Sequence, residues 1–283
     1  MTGKLIALVD GSIYSRSVCD HAAWIAERTG FSVELMHVLG RRETGHDGDL
    51  SGSIALGARS ALLKELTELD EQRAKLVVQR GRAILEDAKA ILDEKDIPTT
   101  VHLRYGDLIE AIGEKADEAE LILIGKRGEA ADFAKGHLGS NLDRVMRETT
   151  KPLFIASRAF RPVERVLIAY DGSPSAMRAV DHVARSSLHH GLQLTVVTVG
   201  SDSPSASKGL ENARAMLGAA GIDAAAEILP GQPEEVLSRL VDDTPFDHVV
   251  MGASGHTRLR KLFVGSTSLE LVRGCKVPIL LIK

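Results

Sequence analysis

The amino-acid sequence contains the same unit twice, and this repetition constrains the fold more than any other feature. The apolar run that ends in Asp10-Gly-Ser has a counterpart ending in Asp171-Gly-Ser, 161 residues later. Gly106 and its counterpart Gly231 are only 125 residues apart, so the first copy carries about 36 additional residues. We therefore predict two domains, residues 1–158 and 163–283, with an additional helical segment at about 53–80 in the first.

Short apolar runs alternate with amphipathic helical patterns inside each copy. The first copy predicts strands at 5–9, 32–39, 99–104, 121–124 and 153–156, with helices between them. Gly30 is suited to end the first helix, Asp107 to cap the third, and Pro233 to open the matching helix of the second copy. Near-continuous apolar strands suit a parallel sheet that is covered on both faces. Each copy is therefore predicted to be a doubly wound α/β domain with a five-stranded parallel sheet and helices on both faces.

Two segments depart from this regular alternation. In the additional segment, Leu62, Leu66, Leu69 and Leu76 follow a heptad-like spacing. We favour a helix that covers its own domain over an interaction surface, because apolar stripes usually face a core. Residues 200–209 of the second copy are rich in serine, and there we expect a mobile loop.

Charge and cysteine content narrow the function classes. The chain carries 35 basic and 39 acidic residues, a net charge of −4, which argues against general affinity for nucleic acids or membranes. No apolar run is long enough to cross a bilayer. Its two cysteines are far apart without metal-type spacing, and the N-terminus runs into a strand without signal-peptide architecture. We expect a cytoplasmic protein.

A glycine-bracketed loop follows the apolar run 248–251 and ends where a helical pattern begins. Glycines let a ligand approach the backbone, and a helix N-terminus offers unpaired N–H groups and a positive dipole end to an anion. The loop runs from Gly252 to the Gly265-Ser266-Thr267 sequence at the start of the helix. This arrangement is typical of a phosphate-binding site.

Ligands of open parallel sheets bind beyond the carboxyl ends of the strands, where the strand order reverses. If the order is 3-2-1-4-5, the loops after the first and fourth strands meet there. Asp10 or Asp171 would then face the glycine loop and accept hydrogen bonds from a ribose or an amine. The alternative is that Asp-Gly-Ser only forms a turn at a helix start.

These residues resemble the universal stress protein family in its tandem form. Its nucleotide-binding members carry Gly, two residues, Gly, nine residues, Gly and then Ser or Thr, and Gly252, Gly255, Gly265 and Ser266 match this spacing. The resemblance implies the strand order above, ATP as ligand and pairing of the two domains through their last strands. It also implies that Asp171 and the backbone at Val199 hold adenosine, and that the phosphates lie against Gly255, His256, Gly265, Ser266 and Thr267.

The first copy departs from the motif. Gly125 and Gly128 are followed by ten residues, not nine, before Gly139-Ser140, and the loop carries Glu129 and Asp132. Carboxylates beside a triphosphate are unfavourable, although Lys126, Arg127 and Lys135 could offset them. A second nucleotide site at Asp10, Val38, Gly125, Gly128, Gly139 and Ser140 therefore stays open.

A metal site is the less favoured interpretation of the histidines. His37 and His102 fall on neighbouring predicted strands, and His46, Asp47 and Asp49 are nearby in sequence. No ligand-spaced motif accompanies them. We favour ordinary polar histidines.

Three functions compete. The first is a nucleotide-binding stress or regulatory protein, in which ATP changes conformation or partner affinity. The second is a slow ATPase, which would usually need Mg²⁺; no Gly-x4-Gly-Lys-Ser/Thr loop is present, and His256 is the one candidate base in the motif. The third is a scaffold whose loops bind no nucleotide. A homodimer of the whole chain, besides the pairing of its two domains, stays open.

Overall fold

A computed structural model describes residues 3–40, 59–128, 139–243, 246–253 and 265–283, without the side chains of 59–63. The first half alternates strand and helix, as its repeat pattern predicts. Its elements are β1 Lys4–Leu8, α1 Tyr14–Thr29, β2 Ser32–Leu39, α2 Arg59–Asp93, β3 Thr99–Tyr105, α3 Leu108–Ala116, β4 Leu121–Gly125, α4 Ser140–Glu148 and β5 Leu153–Ala156.

The second half repeats this order with a shorter second helix. A one-turn 3₁₀ helix, Ser187–His189, is inserted before its second strand. The remaining elements are β6 Arg165–Ala169, α5 Pro174–Arg185, β7 Gln193–Val199, α6 Pro204–Ala219, β8 Ala224–Leu229, α7 Pro233–Asp243, β9 His248–Gly252, α8 Ser266–Gly274 and β10 Ile279–Ile282.

The ten strands in the described part of the chain belong to one sheet, in the order β3-β2-β1-β4-β5-β10-β9-β6-β7-β8. Each half therefore has the order 3-2-1-4-5, which confirms the predicted doubly wound architecture. The halves join where β10 pairs antiparallel with β5, with Leu280 opposite Phe154. The predicted pairing through the last strands is thus confirmed, and it makes one continuous sheet.

Both faces of the sheet are covered by apolar clusters that run across the two halves. Successive residues of a strand point to opposite faces, so Leu5 and Leu280 belong to one cluster while Ile6 and Leu281 belong to the other. The near-continuous apolar strands of the sequence follow from this burial on both sides.

Local signals in the sequence set several element ends. Gly30 adopts a left-handed conformation with φ of 72°, and its N–H bonds to the carbonyl of Ala26 at 2.8 Å, which ends α1 as predicted. The Asp107 carboxylate accepts from the amides of Ile109 and Glu110, so Asp107 caps α3. Pro233 is the first residue of α7.

Two expectations are wrong in part. The predicted loop at 200–209 is helical from Pro204, because Ser203 accepts from the amide of Ala206 and proline suits the first helical turn. The additional segment, predicted at about 53–80, is helical from Arg59, but it covers its own domain only in part, since Leu66, Val77 and Val78 are half-buried. Leu69 and Leu76 remain 55% and 64% exposed.

None of the helices in the described part of the chain is long and apolar enough to span a membrane.

Candidate functional site

In the first half, the loops after β1 and β4 are in contact at the carboxyl edge of the sheet. The Asp10 carboxylate accepts from the amide of Ser12 at 3.0 Å. A Cβ added to Gly128 would lie 2.8 Å from Asp10 Oδ2, and one added to Gly139 would lie 3.5 Å from the Gly128 nitrogen. The structure therefore brings together Asp10, Gly128 and Gly139, the residues that the strand order predicts at the switch point.

The first glycine of each loop has a packing role that the sequence did not reveal. A Cβ on Gly252 would lie 2.7 Å from the Ala176 nitrogen and from Ser175, at the start of α5. A Cβ on Gly125 would lie 2.8 Å from the Tyr14 Cβ at the start of α1. In both halves this glycine lets the fourth strand pass close to the first helix, which holds the loop against the β1 or β6 turn.

The Asp-Gly-Ser sequence of the second half forms a turn at a helix start, which is one of its two predicted roles. The exposed Asp171 accepts from the amide of Ser173 at 2.9 Å and so forms a turn. The cap of α5 is Ser173, whose hydroxyl accepts from Ala176 at 3.2 Å. A carboxylate has two oxygens that can each accept hydrogen bonds, and Asp171 is exposed after the carboxyl end of β6.

Helix α8 starts at the carboxyl edge of the second half without a capping side chain. Gly265 is its N-cap, its N–H bonds to the carbonyl of Ala253 at 2.9 Å, and Ser266 is exposed. Helix α4 likewise starts at Gly139 in the first half, followed by Ser140. Glycine offers no side chain to the first amides, so these N-termini keep donors for another acceptor.

The two hydroxyls that follow Ser266 have partners inside the protein. Thr267 Oγ1 donates to Glu234 Oε1 of α7 at 2.7 Å, and this bond lowers the pKa of Glu234. Ser268 Oγ donates to the carbonyl of Gly252 at 3.1 Å. Thr267 is therefore oriented toward α7, and Ser266 is the better placed of the two predicted phosphate-binding hydroxyls.

The remaining predicted site residues lie near the ends of strands or outside the residues that the structure describes. Val38 is the penultimate residue of β2 and Val199 the last of β7, both half-buried at the carboxyl edge. Gly255 and His256 lie outside the described residues, as do Glu129, Asp132 and Lys135 of the first loop.

Lys126, which follows Gly125 in the glycine-bracketed loop of the first half, contacts the second half. Its Nζ donates to the carbonyl of Cys275 at 2.6 Å, at the end of α8 in the other half. Lys283 makes the reciprocal contact, donating to the carbonyl of Arg147 near the end of α4 at 3.0 Å. Burial lowers the pKa of each lysine to about 8. In this structure Lys126 therefore contacts the junction between the halves, while Glu129 and Asp132, which it was expected to offset, lie outside the described residues.

His37 and His102 do not form a metal site. In the register of β2 and β3, His102 is opposite Met36 while His37 is opposite Leu103, so their side chains point to opposite faces. His37 Nδ1 donates to the carbonyl of Val9 at 2.7 Å, and His102 Nε2 is 3.5 Å from Glu34 Oε1. No cluster of three potential metal ligands occurs among the described residues. His46, Asp47 and Asp49 lie outside them.

A buried histidine cluster at the junction of the halves was missed by the sequence reasoning. His248 stacks on Phe154 at 5.1 Å and on His189 at 5.4 Å between ring centroids, and His21 lies 5.5 Å from Phe154. Burial lowers the pKa of His21 to about 4 and of His248 to about 3, and it lowers that of His189 well below the usual value. These histidines are therefore neutral at pH 7.

The fold and its paired loops define a tandem α/β protein with a glycine-bracketed loop at the carboxyl edge of each half. The model of the universal stress protein family matches residues 1–157 and 162–283. The chain belongs to the universal stress protein family.

Related sequences have the same organisation. The chain is 35% identical over 282 residues to the universal stress protein Slr1230 of Synechocystis sp., covering 98% of each chain. It is 30% identical over 135 residues to a universal stress protein of Thermus aquaticus, which covers 42% of this chain and 97% of that protein. The first relative therefore shares the tandem arrangement, and the second corresponds to less than half of this chain.

Solved structures agree on the fold. A universal stress protein from Archaeoglobus fulgidus superposes with a TM-score of 0.75 at 21% identity, covering 99% of this chain and 98% of that chain. One from Pseudomonas aeruginosa gives a TM-score of 0.66 at 16% identity, over 100% and 93% of the two chains. At these identities the comparison concerns architecture alone.

Proposed function

We propose that the chain is a nucleotide-binding regulatory protein of the stress response, in which residues 163–283 form the domain that chiefly holds ATP. The observation that supports this proposal is the N-cap of α8, Gly265, whose N–H bonds to the carbonyl of Ala253 just after β9. Strand β9 lies next to β6 in the sheet, so the strand order predicts that the loops after β6 and β9, which carry Asp171 and the glycine motif, share one edge. A helix N-terminus suits the phosphates of a nucleotide, and a carboxylate at the same edge of the sheet suits its ribose.

In this proposal Asp171 and the backbone at Val199 hold the adenosine. The phosphates lie against Gly252, Gly255, His256, Gly265 and Ser266. Thr267 Oγ1 donates a hydrogen bond to Glu234 in this structure, so Thr267 can bind a phosphate only after that hydrogen bond is broken. Mg²⁺ would accompany the triphosphate as a counter-ion.

The first domain, residues 1–158, is the weaker candidate. Asp10 lies directly against Gly128, so its carboxylate occupies space beside the loop, and Lys126 contributes its charge to the other half. The ten-residue spacing before Gly139 separates the parts of the motif further than in the second domain. We infer that any nucleotide binds here more weakly than at Asp171.

The matched pair Asp171→Ala and Asp10→Ala tests this assignment by calorimetric titration of the full chain with ATP. A hydrogen bond to a charged group contributes about 1.5–3 kcal/mol, so Asp171→Ala should weaken binding by roughly 10- to 100-fold. Asp10→Ala should leave the main binding event unchanged. Equal effects of the two substitutions, or none, would contradict the assignment to the second domain.

Turnover measured on the same samples separates regulation from catalysis. We expect ATP to remain intact over hours in the presence of Mg²⁺. Hydrolysis that exceeds the buffer rate and is lost in Asp171→Ala would instead identify a slow ATPase.

A further inference from the structure

Helix α2 is much longer than its fold requires. It has 35 residues, whereas α6, which connects the corresponding strands of the second half, has 16. A Cβ on Gly81 would lie 2.8 Å from Leu103 and 3.3 Å from Leu39, the last residue of β2. Gly81 therefore marks where α2 meets the carboxyl edge of the sheet. The 22 residues before it extend about 33 Å beyond that edge at 1.5 Å per residue.

The projecting part carries apolar side chains that its own domain does not cover. Leu69 is 55% exposed and Leu76 is 64% exposed. Leu85 of the same helix is 4% exposed in the core, and it is nine residues from Leu76, which is about two and a half turns. Leu76 therefore points away from the body of the protein. An isolated helical segment of this length is marginal in water unless an apolar face is packed.

Charged side chains divide the projecting part into two blocks of opposite sign. Residues 65–71 contain four acidic and no basic side chains, and residues 73–82 contain four basic and no acidic ones. If the α2 helices of two copies lay side by side in the same direction, acidic block would face acidic block and basic block would face basic block. In opposite directions, each acidic block would lie against a basic block. A register that pairs Leu69 with Leu76 of the second copy also pairs Glu65 with Arg80 and Asp70 with Lys75.

We propose that this projecting segment, residues 64–80, is a self-association surface through which two copies of the chain pair their α2 helices antiparallel. The arrangement is isologous, since each copy offers the same surface and receives the same surface in return. It buries Leu69 and Leu76 of both copies and matches both charge blocks at once. A partner of one charge sign would complement only one of the two blocks.

Sedimentation velocity of the full chain over a range of concentrations tests the proposal. The wild-type chain should form a species of twice the 30.4 kDa chain mass. The double variant Leu69→Glu, Leu76→Glu should sediment as a single chain. Its melting temperature, compared at a protein concentration at which the wild-type chain is also monomeric, should not fall, because both side chains are exposed in the single chain. The matched control is Val101→Glu, Tyr105→Glu, which changes two exposed apolar residues on edge strand β3 and should keep the dimer.

A charge-exchange experiment tests the antiparallel register. The variants Glu65→Lys, Asp70→Lys and Lys75→Glu, Arg80→Glu should each dimerise at least tenfold more weakly, because each makes like charges face one another. Mixing the two variants should restore a heterodimer, since every facing pair then has opposite signs. Combining all four substitutions in one chain should restore the homodimer.

Three results would overturn the proposal. The first is a wild-type chain that stays monomeric throughout the concentration range. The second is a dimer that survives Leu69→Glu, Leu76→Glu or is lost only in the β3 control. The third is a failure of the mixed charge variants to associate.

Discussion

Acid should destabilise this protein through the buried histidine cluster. His21, His189 and His248 are neutral in the folded protein because burial lowers their pKa values, to about 4 for His21 and about 3 for His248. In the unfolded chain each histidine has a pKa of about 6.5. The unfolded state therefore binds more protons below pH 6.5, so stability is fully present above that pH and is lost as the pH falls toward 4.

The size of the effect follows from the pKa difference. Between pH 7 and pH 5, a histidine that stays neutral when folded lowers the free energy of unfolding by roughly 2 kcal/mol. Three such histidines give roughly 6 kcal/mol as an upper limit, which is comparable with the stability of about 5–15 kcal/mol that proteins usually have. Denaturant unfolding at a series of pH values between 7 and 5 measures this quantity.

The variant His189→Phe isolates one member of the cluster. Neither ring nitrogen of His189 has a hydrogen-bond partner among the described residues, so a phenyl ring removes two buried polar atoms along with the titration. Stability at pH 7 should rise by about 1–3 kcal/mol, and the loss between pH 7 and pH 5 should shrink by roughly 2 kcal/mol. His190→Gln, at the exposed neighbouring position, should change neither. If the pH dependence is unchanged in His189→Phe, buried His189 does not contribute to the loss of stability in acid.

Three single substitutions test the packing account, each by thermal or denaturant unfolding. Gly252→Ala places a Cβ 2.7 Å from backbone atoms at the start of α5, so stability should fall by about 1–3 kcal/mol. Gly113→Ala, in the exposed middle of α3 with no atom within 4 Å of the new Cβ, should raise it by about 0.5–1 kcal/mol. Asp107→Ala removes the α3 cap and should lower it by about 1 kcal/mol. Equal effects of the two glycine substitutions, or an unchanged Asp107→Ala, would contradict it.

Local signals explain why much of the fold was predictable. The Asp-Gly-Ser repeat, the glycine at the end of α1 and the apolar strands are each decided by neighbouring residues or by burial on both faces. The strand order within each half followed once the repeated unit was seen to resemble the universal stress protein family. The convergence of Asp10 with Gly128 and Gly139 then followed from topology, because the carboxyl ends of parallel strands share one edge.

The remaining features depend on residues that are distant in sequence. Lys126 and Cys275 are 149 positions apart, and no local pattern indicates that a lysine after β4 will reach a helix in the other half. The histidine cluster likewise forms only when the halves pack together. At α2 the period of the leucines was informative, but periodicity identifies an apolar face without saying what covers it. At 200–209 the Ser203-Pro204 helix start outweighed the polar composition.

The nucleotide that the purified chain carries is the first measurement to make on the proposed site of the second domain. We would denature wild-type protein, Gly265→Arg and Gly139→Arg, and then identify and count the released nucleotide. We expect about one equivalent of ATP or ADP per wild-type chain, lost in Gly265→Arg and retained in Gly139→Arg. Retention in Gly265→Arg, or a wild-type chain that neither carries nucleotide nor takes up added ATP, would contradict this expectation.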